Sequence, residues 1–253
     1  MPKLKEISLF LDAFLENEKV KDDSWNGLQV EGKESVRKVL FAVDAGIETF
    51  EKAVEIGADM IVVHHGLFWK SSNPSIARWN RDRIKFLLDH GISLYAAHLP
   101  LDMHPEVGNN AQLLKILGFE KESNFGVYAG QTISFTGHAN EPKTIDKIKD
   151  ILAEEIGSEC KILKFGPEKI SRIAVCSGGG ASFGLFLEAV DMGVDLYLTG
   201  DSTEMYHMAK DIGINVIFAG HHATEIVGVK ALSTVVKEKL GVETVFVDIP
   251  TGL

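Results

Sequence analysis

The sequence predicts an α/β fold made of two α/β subdomains, with mainly parallel sheets and helices on their faces. Short apolar runs alternate with amphipathic helical segments along most of the chain. This alternation is typical of β-α-β units, which cover both faces of a parallel sheet with helices. Histidine and acidic side chains follow several predicted strands, and open parallel sheets bind their ligands at that edge.

The elements follow one another in a regular order after an amphipathic helix within the first 19 residues. Acidic residues inside that first segment argue against a secretory signal. The predicted strands are 36–43, 60–64, 92–97, 170–176, 194–199, 214–219 and 243–249. The predicted helices of the repeating pattern are 46–57, 78–90, 182–192, 203–212 and 222–240.

Residues 124–168 interrupt this pattern with a small α+β excursion. Strands with hairpin-like turns come first, and a helix near 143–156 and a strand near 159–164 follow. We therefore divide the chain into an N-terminal α/β part (1–123), the excursion, and a C-terminal α/β part (169–253). Gly-Ala-Asp and Gly-Val-Asp precede apolar strands in the two larger parts, which hints at internal duplication.

Composition argues against several classes of protein. The chain has 253 residues, of which 45% are hydrophobic and 25% charged, and its longest apolar run is too short to span a membrane. The net charge of −10 argues against nucleic-acid binding, although an oligomer could still gather a local basic patch. The spacing of Cys160 and Cys176 indicates neither a thiolate zinc site nor a disulfide framework. We therefore expect a reducing, cytoplasmic location.

Two adjacent histidines, His64 and His65, follow an apolar run at 60–63. Neighbouring side chains of a strand point to opposite faces, so both imidazoles converge on one cleft only if the backbone turns. We expect that turn just past Val63, and Gly66 allows it. An isolated pair is as often two ordinary histidines as a ligand pair, so the rest of the chain has to decide.

Imidazole and carboxylate side chains follow other strands as well, from positions more than 150 residues apart. With the first pair, the candidate metal ligands are His64, His65, Asp102, His221 and Glu225. His221 and Glu225 share a face if a helix begins near His221, although a lone pair of this spacing is more often a solvated helix face. His222 would point about 100° away and is the weaker candidate.

Five nitrogen and oxygen ligands exceed what one tetrahedral ion needs, so they indicate two divalent ions per subunit. Two metals about 3.5–4 Å apart activate water and hold a substrate oxygen or phosphate. Ligation without thiolate suits zinc, iron, manganese, cobalt or nickel. His98 and Asp201 are candidate catalytic residues. For His98, the roles of general base, partner of a metal ligand and ordinary polar residue all stay open.

Glycine-rich and aromatic residues are candidates for substrate binding. Gly178, Gly179 and Gly180 open a predicted helix, where exposed N–H groups could hold a phosphate. A tight strand-to-helix turn explains this run equally well. Trp25 lies in a polar loop and could pack on a ring-shaped substrate, but a tryptophan more often anchors a loop to the core.

A series of sequence blocks runs through the whole chain. The blocks are NGLQVEGKE (26–34), VHHGLFWK (63–70), HLPLDMHPEVGNNAQL (98–113), CSGGGASF (176–183), TGD (199–201), AGHHATE (219–225) and VDIP (247–250). With these blocks the chain resembles the NIF-three-like family of dinuclear-metal proteins, in particular its YbgI-type bacterial members. Those members are often labelled homologues of a second type of GTP cyclohydrolase. One departure is Asp201, where many relatives have glutamate after Thr-Gly.

The resemblance implies a metal pair held by the same five candidate ligands. It also implies a homohexamer, a toroid built as a trimer of dimers, with the metal sites facing its inner cavity. We expect a metal-dependent hydrolase that opens a ring or cleaves an amide-like bond in a nucleotide-like molecule. The alternatives are a non-enzymatic ring that binds DNA or a protein partner and has structural metals, and a protein of metal trafficking.

Overall fold

The computed structural model describes residues 2–253 and confirms the α/β architecture, with two sheets flanked by helices. The strands are β1 (Gly27–Val30), β2 (Lys38–Asp44), β3 (Met60–His65), β4 (Ser93–Ala96), β5 (Glu120–Tyr128), β6 (Gln131–Thr144), β7 (Lys161–Leu163), β8 (Lys169–Cys176), β9 (Leu196–Thr199), β10 (Asn215–Phe218) and β11 (Glu243–Phe246). The α-helices are α1 (Leu4–Phe14), α2 (Ile47–Glu55), α3 (Arg78–His90), α4 (Leu99–Met103), α5 (Asn109–Leu117), α6 (Ile145–Ile156), α7 (Phe183–Asp191), α8 (Tyr206–Ile212) and α9 (His221–Leu240). Over residues 2–253, no helix has the length and apolar character needed to cross a bilayer.

Every strand and helix predicted from the sequence is present, with ends shifted by a few residues. Three short elements are additional, namely β1, α4 and α5, together with a 3-10 helix at Asn17–Lys19. The shorter of the two α-helices among them, α4, has five residues, little more than one turn, so no helical period stands out in its sequence.

Unit 1 of the chain comprises the residues up to His104 together with Val229–Ile249. Its five-stranded sheet has the order β1-β4-β3-β2-β11, in which only β1 runs antiparallel to its neighbour. Helices α2 and α3 pack against this sheet. The central strand β3 is buried over five of its six residues, which explains the continuous apolar run.

Unit 2 comprises Pro105–Gly228 and Pro250–Leu253. Its six-stranded sheet has the order β5-β6-β8-β9-β10-β7. The strands β8, β9 and β10 are parallel, whereas the pairs β5–β6, β6–β8 and β10–β7 are antiparallel. The sheet is therefore mixed, with its parallel strands in the middle.

These two units differ from the three parts into which the sequence pattern divides the chain. The excursion 124–168 belongs to unit 2, because β6 forms a ladder with β8 and Phe135 shares a core with Ile173. The predicted C-terminal part 169–253 is divided at α9 between the units. A strand pattern does not reveal which distant strand it pairs with, so the sequence could not fix these boundaries.

Gly228 lies inside helix α9 at a point of close approach to α5. Its N–H donates to Asn109 Oδ1 at 2.9 Å, and an added Cβ would lie 2.8 Å from the backbone nitrogen of Asn109 and nearer still to Oδ1. Glycine in a helix interior costs about 1 kcal/mol relative to alanine, so the contact with Asn109 explains its presence. Gly184 in α7 has open space instead, with nothing within 4 Å of an added Cβ.

We expect Gly228→Ala to lower the free energy of unfolding by about 2 kcal/mol, although helix propensity alone favours alanine. The reason is the collision of the new methyl group with Asn109. Gly184→Ala is the matched control and should leave stability unchanged or raise it by up to about 1 kcal/mol. Urea unfolding followed by circular dichroism measures both. A Gly228→Ala protein as stable as the parent would contradict the packing argument.

Candidate metal centre

Three histidines of unit 1 form a cluster at the carboxyl edge of its sheet. His64 and His65 end β3, and His98 follows β4, the parallel neighbour of β3. One ring nitrogen from each lies within 4.8 Å of the others. The ring centroids are 4.7 Å apart for His64 and His65, and 5.1 Å apart for His64 and His98. These separations are compatible with a shared metal ion.

The turn that we expected just past Val63 comes later in the structure. Both histidines lie within β3, where His65 pairs with Asp44 of β2 and its carbonyl accepts the N–H of Ala45 at 2.9 Å. The ladder thus continues through the pair. His64 is completely buried and His65 is half-buried, yet their rings lie side by side at the end of the strand.

Hydrogen bonds at Nδ1 fix the orientation of both rings. His64 Nδ1 donates to the carbonyl of Ala97 at 2.8 Å, and His65 Nδ1 donates to Asp44 Oδ1 at 2.8 Å. In a ring held in this way, Nε2 is the nitrogen that a metal ion would bind. His64 Nε2 lies 3.3 Å from Oδ2 of Asp102, a buried residue of α4. The structure therefore places three of the predicted ligands together within unit 1.

His98 is held by Asp22, a residue that the sequence did not single out. His98 Nδ1 lies 2.9 and 3.1 Å from the two carboxylate oxygens of Asp22. The carboxylate also accepts from the N–H groups of Ser24 and Leu99 and from the side chain of Asn26. Burial raises the pKa of Asp22, but the hydrogen bond and charge of His98, with the other donors, outweigh it and lower the pKa to about 2.

In unit 2, His221 and Glu225 lie one turn apart at the start of α9, as the spacing predicted. His221 Nε2 is 3.2 Å from Glu225 Oε1, and His221 Nδ1 is 2.9 Å from Asp201 Oδ1. The hydrogen bond with Glu225 is the largest influence on His221. Burial opposes it, Asp201 adds to it, and the pKa of His221 rises to about 9. His222 is buried, and its N–H donates to the carbonyl of Leu253 at 3.3 Å.

The glycine run passes close to this pair of residues. Gly178 has φ +55°, and an added Cβ would collide with Glu225 Oε1. At Gly179 an added Cβ would lie 3.7 Å from Asp201 Oδ2. The N–H of Gly178 donates to the hydroxyl of Thr224 at 2.9 Å. The first glycine thus permits the backbone to approach the carboxylate, a reason for glycine other than phosphate binding.

The glycines precede helix α7 rather than opening it. The helix begins at Phe183, and Ser182 caps it by accepting the N–H of Leu185 at 3.3 Å. An added Cβ at Gly180 would lie 2.6 Å from Cys176 Sγ, so a tight turn also requires glycine here. Trp25, the other substrate-binding candidate, lies before β1 with 57% of its surface exposed, so it does not anchor the loop in the core.

The donor atoms fit the divalent metals that the resemblance implies. Unit 1 supplies imidazole nitrogens and the Asp102 carboxylate, and unit 2 supplies the imidazole of His221 with the carboxylate of Glu225. Neither cysteine of the chain belongs to these groups. Mixed nitrogen and oxygen ligation suits zinc, manganese, iron, cobalt and nickel.

Comparison with known proteins gives a match along the whole chain. The family model described as Duf34/NIF3 (NGG1p interacting factor 3) matches residues 2–252. A Pyrococcus horikoshii protein named GTP cyclohydrolase 1 type 2 homolog is 50% identical over 250 residues, covering 98% of each chain. A Pseudomonas aeruginosa protein of the same name is 41% identical over 240 residues, covering 94% of each. The solved structure of a protein called ybgI has a TM-score of 0.92 and 38% identity, covering 99% of this chain and 100% of that one.

We expect the affinity of the metal-free protein for Zn²⁺ to rise about tenfold between pH 7 and 8 and less steeply toward pH 9. Because the pKa of His221 is about 9, this ring carries a proton at neutral pH that a metal ion has to displace. Competition titration with a chromophoric chelator at pH 7 and 8 measures the slope.

Asp201→Asn should make that slope shallower, because it removes one of the carboxylates that raise the pKa of His221. His207→Ala, at an exposed histidine of α8, is the control and should keep the parent slope. An affinity that stays constant over this pH range would show that no proton leaves His221 when the metal binds.

Proposed function

The chain belongs to the Duf34/NIF3 family, and on that premise we propose that it is a metal-dependent hydrolase acting on a nucleotide-like substrate. The observation that carries the proposal is the grouping of His64, His65 and Asp102: the two ring centroids are 4.7 Å apart, and His64 Nε2 lies 3.3 Å from Asp102 Oδ2. The relatives named GTP cyclohydrolase 1 type 2 homolog suggest the substrate class. The reaction we propose is hydrolytic opening of a ring or cleavage of an amide-like bond.

We assign two divalent ions to His64, His65 and Asp102 of unit 1 and to His221 and Glu225 of unit 2. Two contacts support this assignment, namely His64 Nε2 to Asp102 Oδ2 at 3.3 Å and His221 Nε2 to Glu225 Oε1 at 3.2 Å. When bound, such ions polarise a substrate oxygen and lower the pKa of water. Zinc, iron, manganese, cobalt and nickel are all compatible with these donors.

His98 is the residue of this chain that we propose as the proton carrier. Asp22 holds its Nδ1, so Nε2 is the nitrogen that can accept a proton and return it to a leaving group. Asp22 remains negatively charged at neutral pH, because its pKa is about 2, and this charge stabilises the imidazolium that forms. Asp22 thus acts as a positioning residue for His98.

Asp201 has a comparable relation to His221. Its carboxylate accepts the Nδ1 proton of that ring at 2.9 Å, which supports an orienting role alongside the catalytic role predicted from sequence. The homohexameric toroid and the cytoplasmic location stay predictions. Native mass spectrometry tests the first against the mass of six 27.7 kDa chains.

We expect close to two metal ions per chain in protein purified without chelator or affinity metal. His65→Ala should lower this content and leave the fold intact, because the half-buried ring closes the end of a strand rather than filling the core. His207→Ala should retain the parent metal content. Elemental analysis and a thermal melt by circular dichroism measure the two quantities. A His65→Ala protein with full metal content would exclude this residue as a ligand.

Asp22→Asn should reduce hydrolysis by about 10²- to 10⁴-fold at unchanged metal content, since His98 loses the charge that supports it. Asp23→Asn is the neighbouring control, because the Asp23 carboxylate bonds Ser71 rather than a histidine. The assay offers GTP, other nucleotides, amides and phosphoesters to the metal-loaded protein and follows products by chromatography. Inertness toward the whole panel would refute the hydrolase. A salt-dependent mobility shift of DNA by the metal-loaded protein would then favour the alternative of a non-enzymatic ring that binds DNA.

A further inference from the structure

Unit 1 contains a cavity of about 770 Å³ that none of the proposed metal ligands lines. It lies between α1, the 3-10 helix and the segment that leads into β1. The lining residues that carry the argument are Leu9, Asp12, Asn17, Ser24, Trp25 and Lys70. The volume is within the range of small-molecule sites.

Two buried polar atoms of the lining have no hydrogen-bond partner among the described residues. They are the hydroxyl oxygen of Ser24, a residue with 1% of its surface exposed, and the amide oxygen of Asn17. Burying a polar atom without a partner costs free energy, and native proteins keep few such atoms. Both residues line this one cavity, so a ligand bound there is the partner that we consider for these two atoms.

The neighbours of Asn17 determine which end of its amide is available. The hydroxyl of Tyr95 donates to Asp12 Oδ1 at 2.8 Å, and burial keeps the pKa of this phenol raised, so its proton stays in place. Asn17 Nδ2 then donates to Asp12 Oδ1 at 2.8 Å and to the Tyr95 oxygen at 2.7 Å. Both amide protons are used, and Oδ1 of Asn17 remains as an acceptor for an N–H or O–H group.

The indole of Trp25 gives the cavity a flat apolar wall. Its side chain is 57% exposed, and Leu9 and Leu28 of the same lining are exposed as well. Lys70 Nζ lies 5.7 Å from the Trp25 ring centroid and donates to the carbonyl of Asp22. A cation is therefore already beside the indole, which disfavours a positively charged ligand there.

A single asparagine connects the cavity to the histidine cluster. Asn26 lines the cavity, and its Oδ1 accepts the backbone N–H of His98 at 2.8 Å. Its Nδ2 donates to Asp22 Oδ2, the carboxylate that also holds the His98 ring. A ligand in the cavity would thus touch the same segment, Asp22–Asn26, that positions the proposed proton carrier.

We propose that this cavity binds a neutral planar nitrogen heterocycle. The ring packs on the indole of Trp25, a ring N–H donates to Asn17 Oδ1, and the Ser24 hydroxyl makes a second hydrogen bond. The identification of this heterocycle with part of the substrate rests on the proposed function, but its binding needs no metal. A second protein copy is the less suitable occupant, because an apolar subunit contact at Trp25, Leu9 and Leu28 would leave the buried polar atoms unsatisfied.

The test is calorimetric titration of the full chain, stripped of metal, with guanosine as the probe. We expect saturable binding of one guanosine per chain. Trp25→Ala should weaken it by at least about tenfold, as loss of a stacking platform does. Trp79→Ala is the matched control and should bind as the parent does, because this similarly exposed indole, on α3, is not part of the lining.

Two further measurements address the hydrogen bonds. Ser24→Ala should weaken guanosine binding without lowering the unfolding midpoint, because the hydroxyl has no partner within the described part of the chain to lose. 1-Methylguanosine lacks the ring N–H and should bind at least about tenfold more weakly than guanosine. Equal binding of the two nucleosides would overturn the role assigned to Asn17.

The results of these experiments distinguish failure of the cavity site from failure of the proposed hydrolase function. Absence of saturable guanosine binding overturns the cavity site even if metal content and hydrolysis are as proposed. Guanosine binding without any hydrolysis by the loaded protein retains the site and refutes the proposed function. A Trp25→Ala protein with an altered native mass would identify the indole as a subunit contact, and this also overturns the proposal.

Discussion

The parallel pairing of neighbouring strands is the constraint on which the candidate site depends. In unit 1, β3 and β4 run parallel in a register that pairs Val63 with Ala96, so the residues that follow both positions emerge at one edge. His64 and His98 are 34 positions apart in the chain, yet their ring centroids are 5.1 Å apart. In unit 2, β9 and β10 pair Thr199 with Phe218 and bring Asp201 to His221 in the same way.

A second regularity concerns the ring nitrogens. Each of the four candidate histidines has Nδ1 bound to an oxygen: the carbonyl of Ala97 for His64, and the carboxylates of Asp44, Asp22 and Asp201 for His65, His98 and His221. A carbonyl or carboxylate oxygen can only accept a hydrogen bond, so each Nδ1 carries the proton of that bond. Nε2 is therefore the nitrogen of each ring at which metal binding or proton transfer would take place. A proton on Nδ1 of all four rings follows from the surrounding acceptors alone.

Sequence reasoning could find the elements and the candidate ligands, because both leave local patterns. A buried parallel strand is a continuous apolar run in the sequence. A histidine that directly follows such a run, as His64 and His65 do, can be recognised without knowing the fold. Asp22 leaves no such pattern, because its partner His98 is 76 positions away and only the folded loop brings them together. The same holds for the pairing of β6 with β8 and for the contact of Gly228 with Asn109. Short elements such as α4 were missed because one helical turn has no period to detect.

The charges of unit 2 explain how the fold accommodates a buried carboxylate beside a histidine. Glu225 is 2% exposed, and an unpaired buried carboxylate is strongly unfavourable. The proton that His221 retains, with its pKa near 9, places a positive charge 3.2 Å from Glu225 Oε1 and offsets that cost. A divalent ion at the same nitrogen would supply positive charge in place of this proton.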